Sequence, residues 1–303
     1  MIGRDLQAFL RAAHACAADF GPATARAAFL VAPEGFAHAV ESAADNRYMA
    51  PAEAFDAATA LAQHRVLQRA LSKAVPTLCF PGDADTPDGV FPNNVFATVP
   101  GRLLIGRMRH PVRQREAARA DVRGFFRDLL GYAETDLSTQ PHPCELTGAL
   151  VIDRARGIGY CGLSERCDEA GARLLHAAFG LRATLLFDLT PGEYHSNVVL
   201  AVLAGRAALL CPGGFADAAV AAAILQFYAP HGIALTAAEQ AAFAGNAIAL
   251  SGDRVWMSGT AERALTAPSR AALAAAGFDV NAVELLAIEA AGGSLRCCVA
   301  EIF

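Results

Sequence analysis

The strongest constraint on the fold is a repeated order of predicted elements. Two short apolar segments joined by a turn, then a helix, then a third apolar segment recur four or five times, spaced about 50 residues apart. The paired segments include 95–99 with 102–107, 150–152 with 158–160, and 198–202 with 207–210. Such a period is typical of related modules rather than independent domains. We therefore predict one domain, residues 1–303, of modules arranged around an axis, with a three-layer α/β fold as the alternative.

Composition narrows the class of protein. Hydrophobic residues make up 54% and charged residues 18% of the chain, which favours a globular core over disorder. The net charge of −5 gives no reason to expect nucleic acid, and no apolar run approaches the ~20 residues of a membrane span. Eight cysteines without a C-x-x-C pair argue against a zinc ribbon or a disulfide framework, and they predict reduced thiols in the cytoplasm.

A cysteine near the end of the chain is the first candidate for chemistry. Two glycines precede Cys297, and glycine lets the backbone approach a ligand closely. A cysteine nucleophile needs an acid or base, which in turn needs an orienting group. Among eight histidines, His195 lies in a polar turn leading into an apolar segment, although a structural histidine fits equally well. Glu145 is an isolated acid in an apolar stretch, which is costly unless it is partnered; an exposed turn residue is the alternative.

Several polar residues could hold a substrate. The loop 81–94 carries Asp88 and two adjacent amides, Asn93 and Asn94. Amides suit a planar ligand with several donors and acceptors, whereas a capped turn would need no ligand. Arg166 opens a predicted helix, where the helix dipole disfavours a cation, so it could clamp a carboxylate instead of lying on the surface.

Other chemistries are open from the residues alone. A second basic cluster lies at a strand–helix junction and consists of Arg109, Arg113 and Arg115; which of them points inward is not decided by the sequence. A cysteine hydrolase of acyl groups is the alternative enzyme, since it needs an oxyanion hole and no anionic cradle. No His or Cys pair has ligand spacing, and the loop aspartates do not match a calcium loop. No metal or cofactor is predicted.

Six motifs together resemble the amidinotransferase superfamily with the pentein fold, and its arginine-deiminase-related and dimethylarginine dimethylaminohydrolase branch in particular. In chain order they are F-L-V-A-P (29–33) followed by Phe36, P-D-G-V-F-P-N-N (87–94), E-L-T-G (145–148), G-L-S-E-R (162–166), Y-H-S-N (194–197) and G-G-S-L-R-C (292–297). The resemblance spans nearly the whole chain. It implies a five-fold pseudosymmetric α/β propeller of ββαβ modules, which matches the repeat.

The resemblance also implies a Cys-His-Glu machinery that acts on a guanidinium carbon without metal or organic cofactor. By this resemblance Cys297 is the nucleophile and His195 is the acid and base. Glu145 would orient His195, and Phe91 would pack over the guanidinium. Arg166, with either Arg109 or Arg113, would hold a substrate carboxylate.

Two positions depart from the family pattern. Deiminases commonly have carboxylates where this chain has Asn94 and Asn197. Asparagine near the first position also resembles the dihydrolases, which remove both terminal nitrogens as ammonia. Asp88 is retained as one anionic partner for the substrate. The outcome of the reaction is therefore open among deiminase, dimethylaminohydrolase and dihydrolase types.

The resemblance predicts a hydrolase that cleaves a linear amidine C–N bond of a guanidino compound through a covalent cysteine thiouronium. Amidino transfer to an acceptor amine is one alternative, and a non-catalytic guanidino-binding protein is another. The predicted partner is a small guanidino molecule, with no nucleic acid and no membrane. A homodimer is left open.

Overall fold

The computed structural model describes residues 1–303, which form five small β-sheets and the helices between their strands. The sixteen strands are β1 (Ile2–Gly3), β2 (Ala27–Val31), β3 (Thr77–Phe80), β4 (Phe96–Val99), β5 (Arg102–Ile105), β6 (Ala133–Asp136), β7 (Leu150–Asp153), β8 (Ile158–Leu163), β9 (Ala183–Asp188), β10 (Leu200–Leu203), β11 (Ala207–Leu210), β12 (Gly232–Ala234), β13 (Ile248–Ala249), β14 (Arg254–Ser258), β15 (Asp279–Val283) and β16 (Ala300–Ile302).

The helices are mostly short. The α-helices are α1 (Leu6–His14), α2 (Val40–Ala43), α3 (Ala57–Leu71), α4 (Pro111–Gln114), α5 (Ala120–Gly124), α6 (Leu146–Ala149), α7 (Glu169–Phe179), α8 (Ser196–Val199), α9 (Ala218–Phe227), α10 (Ala237–Ala241), α11 (Gly259–Ala264), α12 (Ala267–Ala275), α13 (Leu286–Glu289) and α14 (Leu295–Cys298). Turns of 3-10 helix lie at Ala52–Ala54, Pro92–Asn94, Arg115–Ala118 and Pro212–Gly214, and Phe125–Leu129 is a π-helix. None of the helices is long and apolar enough to cross a bilayer.

Every sheet contains an antiparallel pair of strands and a parallel third strand that follows a helix, and in four of the five sheets the antiparallel pair is a hairpin. Three sheets are complete three-stranded units, in the orders β4–β5–β6, β10–β11–β12 and β13–β14–β15. The sheet β7–β8–β9 gains β1 as a parallel edge strand. The fifth sheet uses both ends of the chain, because β16 pairs antiparallel with β2, and β2 pairs parallel with β3. The five sheets confirm the prediction of a mixed α/β fold built of repeated modules.

Apolar sequence on both faces explains why these hairpins are internal. All four residues of β11 and the last three of β5 are fully buried, as expected for strands covered on both sides. Side chains cap the connecting helices α3, α7, α9 and α12 at their N-termini. In α7 the Asp168 carboxylate accepts from the Gly171 amide, and Gly180 ends the helix at φ +65°, the left-handed conformation that glycine tolerates.

The apolar pattern of the sequence predicts a helix over residues 114–130 and a terminal strand over 298–302, and both of these boundaries are wrong. The helix predicted from 114 to 130 is broken into α4, a 3-10 turn, α5 and a π-helix, because the backbone leaves helical geometry at Arg119 (ψ 97°). There the Arg119 guanidinium binds Asp121 and the carbonyl of Pro81. The strand predicted over 298–302 begins only at Ala300, since the amides of Cys297 and Cys298 bond to the Ser294 carbonyl and close a helical turn.

The turns that precede the first strand of each module lie beside one another. They are Pro92–Asn94, α6, α8, residues 243–247 and α14. The first strands are also neighbours, with β16 beside β4, β7 beside β10, and β10 beside β13. Pro92–Asn94 contacts both α6 and α14, and α6 contacts α8. Because each turn leads into an inner strand, residues scattered over the chain meet at one place.

Candidate active site

The cysteine turn is held close to two other segments. Cys297 lies in α14 and is 2% exposed. Gly292 has φ +74°, and a Cβ there would lie 2.3 Å from Nδ2 of Asn46. A Cβ at Gly293 would lie 2.9 Å from the Phe91 ring. Both glycines therefore serve close approach, as predicted from the sequence.

Two asparagines contact the Cys297 sulfur. Asn246 Nδ2 donates to Sγ at 3.3 Å, and Sγ lies 3.8 Å from Oδ1 of Asn197. Burial raises the pKa of Cys297, while the Ser294 backbone amide and the Asn246 side chain act in the opposite direction. The resting sulfur is therefore a protonated thiol.

His195 and Glu145 form a fully buried pair, each at the start of a short helix, α8 and α6. His195 Nε2 lies 2.8 Å from Glu145 Oε2. Because a carboxylate only accepts, Nε2 carries the hydrogen and Nδ1 is the free lone pair; Nδ1 is buried and has no partner. Burial lowers the pKa of His195 against the opposing effect of Glu145, so the ring is neutral at rest.

Glu145 is held as an anion. Its Oε1 accepts from the backbone amide of Arg109 at 2.9 Å, and Oε2 lies 3.4 Å from Nη1 of Arg166. Burial acts to raise the pKa of Glu145, but the charge of Arg166 and the hydrogen bond from His195 outweigh it and hold the pKa well below its usual range. A fixed carboxylate at Nε2 fixes the orientation of the imidazole.

A small cavity lies against Cys297. Only about 20 Å³ of it is open to the centre of a water molecule, which is room for about one water. The other residues that line it are Ser42, Asn46, Met49, Asp88, Phe91, Asn94, Arg113, Arg166, Tyr194, Ala291 and Gly293. Residues 42–49, which we call the covering segment, supply three of these residues. The structure thus brings five predicted substrate residues into one cavity with Cys297: Asp88, Phe91, Asn94, Arg113 and Arg166.

Unpaired polar atoms concentrate around this site. Asp88 Oδ2 accepts from Ser42 Oγ at 2.5 Å, whereas Oδ1 is buried without a partner. Oδ1 of Asn94 is also unpaired. It lies on the same side of Gly148 as the His195 ring, since a Cβ at Gly148 would be 2.6 Å from that oxygen and 2.9 Å from His195 Nδ1. Unsatisfied buried groups are costly, so their clustering favours a polar ligand here.

Three predicted residues lie elsewhere around the site. Asn93 is fully buried with both amide atoms unpaired, and it does not line the cavity. Asn197 does not line the cavity, but its Oδ1 contacts Sγ of Cys297. The Arg109 side chain is half exposed and pairs with Glu165 at 3.4 Å; it faces away from the cavity, and only its backbone contributes by holding Glu145. Arg113 is therefore the inward member of the basic cluster.

Both inward arginines already have carboxylate partners. Arg166 donates to both oxygens of Asp45, at 2.8 and 2.6 Å, and to the Ser42 carbonyl at 3.1 Å. Arg113 makes a two-point contact with Glu116, at 2.8 and 2.9 Å. In this structure the guanidinium of Arg166 is therefore occupied by Asp45 and is not free to bind a ligand in the cavity.

Two residues of the site were missed from the sequence. Asn246 contacts the sulfur from the turn before β13. The repeat contained a signal for it, because that turn is the fourth of the five turns that lead into a first strand. No sequence pattern of this kind marks Asp45, whose carboxylate accepts hydrogen bonds from Arg166. Asp45 lies in an irregular segment outside the repeated hairpins.

Known proteins are similar to this chain over most of its length. The family model described as "N,N dimethylarginine dimethylhydrolase, eukaryotic" matches residues 32–303. The N-terminal domain of ArgZ, an arginine dihydrolase from the ornithine-ammonia cycle in Cyanobacteria, was solved as a mutant bound to substrate; it is 20% identical, with a TM-score of 0.79, over 91% of this chain and 97% of that one. The search of curated proteins finds no match.

Two further solved structures are similar. AgrE, in a ternary complex with ornithine and NAD+, is 21% identical with a TM-score of 0.78, over 91% of this chain and 39% of that one. A dimethylarginine dimethylaminohydrolase mutant, solved as an adduct with S-methyl-L-thiocitrulline, is 20% identical with a TM-score of 0.69, over 91% of this chain and 99% of that one. At such identities these likenesses speak for the fold alone.

The family match covers nearly the whole chain and confirms the resemblance drawn from the six motifs. It also confirms the prediction of a hydrolase acting on linear amidines, because the family is one of dimethylarginine hydrolases. The chain belongs to the family of N,N-dimethylarginine dimethylhydrolases.

Proposed function

We propose that this protein hydrolyses arginine or an Nω-substituted arginine at a terminal C–N bond, through a covalent adduct on Cys297. The observation that carries the proposal is the buried His195–Glu145 pair, with Nδ1 unpaired. Glu145 lies 3.4 Å from Arg166, which lines the same cavity as Cys297 and the half-free Asp88 carboxylate. A nucleophile, a proton carrier and an anionic group for a cationic substrate are thus combined.

Asp88 and Phe91 would hold the guanidinium. The unpaired Oδ1 of Asp88 can accept from a guanidinium N–H, and a charged acceptor strengthens such a bond. The Phe91 ring lies against Gly293 in the cysteine turn and faces the same cavity. A guanidinium over an aromatic face is favoured by about 1 kcal/mol or more when desolvated.

The substrate carboxylate would bind Arg113 and Arg166. Both line the cavity, but Asp45 occupies Arg166. The closed cavity is also too small for an arginine, because it holds about one water. We propose that the covering segment opens, and that the substrate carboxylate then replaces Asp45 on Arg166.

The first half-reaction would transfer the amidino carbon to sulfur. The Cys297 thiol gives its proton to Nδ1 of His195, and the sulfur bonds to the guanidinium carbon. The C–N bond to the leaving amine breaks, and that amine takes the proton from His195, which leaves a cationic thiouronium. Thiolate is the strongest nucleophile among side chains, and a positioned proton carrier contributes on the order of 10²–10⁴ in rate.

Water would complete the cycle. Attack on the thiouronium carbon breaks the C–S bond and forms a ureido group. One proton of the water returns through His195 to the sulfur, and the second is taken up by the released amine in solution. His195 Nδ1 serves as base here, which requires the neutral imidazole that burial favours.

A second candidate outcome is dihydrolysis of arginine, which consumes two waters and releases two ammonia molecules and carbon dioxide. Asn94 and Asn197 favour it. An amide is neutral and both donates and accepts, so these side chains do not select a cationic guanidinium over the neutral ureido group of the first product. Such a site could retain that product for a second attack.

Product analysis tests both outcomes. Parent protein with arginine and with N,N-dimethylarginine should release ammonia or dimethylamine, and ureido product or ornithine identifies the outcome. Cys297→Ala should lose at least ~10³-fold in kcat, whereas Cys16→Ala, half-buried near the N-terminus, should retain activity. Unchanged turnover in Cys297→Ala would refute the proposal, and an amidino product on added glycine would indicate transfer instead.

We also propose that the five modules close into a five-fold propeller. A separate proposal is that the protein is located in the cytoplasm. Adjacent first strands support closure, and so does a cavity lined jointly by residues of β7, β10, β13 and β16. A crystal structure would test the closure, and cell fractionation would test the location.

A further inference from the structure

Asn246 lies beside the nucleophile, and none of the steps above uses it. It is fully buried in the turn that precedes β13. Its Nδ2 lies 3.3 Å from Cys297 Sγ and 2.8 Å from the backbone carbonyl oxygen of Asn197. One side chain thus joins the turn before β13 to the sulfur and to the turn that follows His195.

The orientation of this amide is determined by its neighbour. A backbone carbonyl only accepts, so the NH2 group of Asn246 must face Asn197; the flipped amide would place two oxygens together. The NH2 group has a second hydrogen, which is then directed at the sulfur of Cys297. Gly245 permits the approach of the two turns, because a Cβ there would lie 2.5 Å from the Val198 carbonyl oxygen.

The other side chain on the sulfur behaves differently. Asn197 presents Oδ1 at 3.8 Å, where it can accept from a thiol, and its Nδ2 is unpaired. An acceptor favours the protonated sulfur, whereas a donor favours the thiolate. Asn246 is therefore the side chain that is committed to donating to Cys297.

Several charged and titratable groups also lie near the sulfur, and they are the same in the parent and in every variant at Asn246. Asp88, Arg113, Arg166 and Tyr194 face Cys297 across the cavity. Arg296 and Cys298 lie in the same turn as Cys297. Glu289 and His195 lie in adjacent turns.

We propose that Asn246 is a catalytic residue that stabilises the Cys297 thiolate, both when the thiol proton leaves and when the sulfur departs from the adduct. A neutral donor does this without adding a second cation to a site that binds a cationic substrate. The catalytic part of this inference rests on the proposed function, whereas the effect on the sulfur itself does not.

The test is the pH dependence of alkylation of Cys297 by iodoacetamide, followed by peptide mass spectrometry from about pH 6 to 11. Removing the donor in Asn246→Ala should raise the midpoint by about one pH unit and slow alkylation below it about tenfold. Asn246→Asp, which places a carboxylate beside the sulfur, should raise the midpoint further. Asn281→Asp, a half-buried asparagine in β15 of the same module, should match the parent.

A merely structural role predicts another pattern. Loss of the bond to Asn197 would lower the melting temperature and kcat but leave the alkylation midpoint unchanged in folded Asn246→Ala, and that result overturns the inference. If Asn246→Asp does not fold, Asn246→Ala carries the test, because it adds no buried charge. A parent without turnover would refute the proposed function, yet the alkylation readout would still decide the role of Asn246.

Discussion

At the level of single residues, the space beside the His195 ring exists because Gly148 has no side chain. The ring is held at Nε2 by Glu145, while Nδ1 faces the position that a side chain at residue 148 would fill. Gly148 is in an ordinary helical turn with no positive φ. Its role is therefore steric, and it keeps the reactive nitrogen uncovered.

Gly148→Ala should reduce kcat by about 10²-fold or more, because the new Cβ would lie 2.7 Å from His195 Cε1 and a displacement of ~1 Å in a catalytic group costs about that much. Steady-state kinetics with a melting curve would measure it. Gly3→Ala is the matched control, since a Cβ there meets nothing within 4 Å. Full activity in Gly148→Ala would show that His195 tolerates displacement or takes no part.

At the scale of the element, the covering segment decides access to the site. It begins at the end of α2, and several hydrogen bonds hold it in place. Asp45 binds Arg166 and also His110 at 3.1 Å, and Asn46 donates to the Gly292 carbonyl at 3.3 Å. These bonds must be exchanged for bonds to substrate when an arginine-sized molecule enters.

Asp45→Ala should lower KM for arginine by about three- to tenfold, since each 1.4 kcal/mol of removed competition is a factor of ten. A guanidino compound without a carboxylate should show no such gain. Steady-state kinetics with both substrates measures the difference, and Glu53→Ala, an exposed acid nearby, is the control. A raised KM for arginine would show that Asp45 orients Arg166 rather than competing for it.

At the scale of the whole molecule, stability depends on groups that must stay neutral inside the core. His64 in α3 is 1% exposed and its Nε2 has no partner. Burial lowers the pKa of His64 from 6.5 to about 4. A folded state that disfavours protonation keeps its full stability above pH 6.5 and loses it as the pH falls through about 4.

Acid should therefore weaken the parent more than His64→Leu. A shift from 6.5 to about 4 corresponds to about 3 kcal/mol, at 1.36 kcal/mol per pH unit. Urea unfolding at neutral pH and at pH ~4 would measure the loss of free energy of unfolding in each protein. His176→Leu, at a half-buried histidine that bonds Thr184, is the comparison. An equal loss in parent and His64→Leu would mean that other groups dominate.

The repeated modules and the three candidate residues for chemistry could be picked out from the sequence because their signals are local. Apolar hairpins and amphipathic helices are read from neighbouring residues, and a glycine turn marks Cys297 without knowledge of its partners. Helix ends were less predictable. The break at Arg119 arises where its guanidinium reaches Pro81 and Asp121, a bond outside any local pattern.

The order of the modules follows from the amino-acid sequence alone, and so do the family and the candidates Cys297, His195 and Glu145, through the six motifs. The tertiary structure alone decided that Arg113 turns inward while Arg109 faces solvent, that Asp45 occupies Arg166, and that Asn246 reaches the sulfur. The physical reason is separation along the chain: Asp45 and Arg166 are 121 positions apart, and Asn246 and Cys297 are 51 apart. Such partners are brought together by the packing of turns and loops that are distant in the chain, which no local pattern encodes.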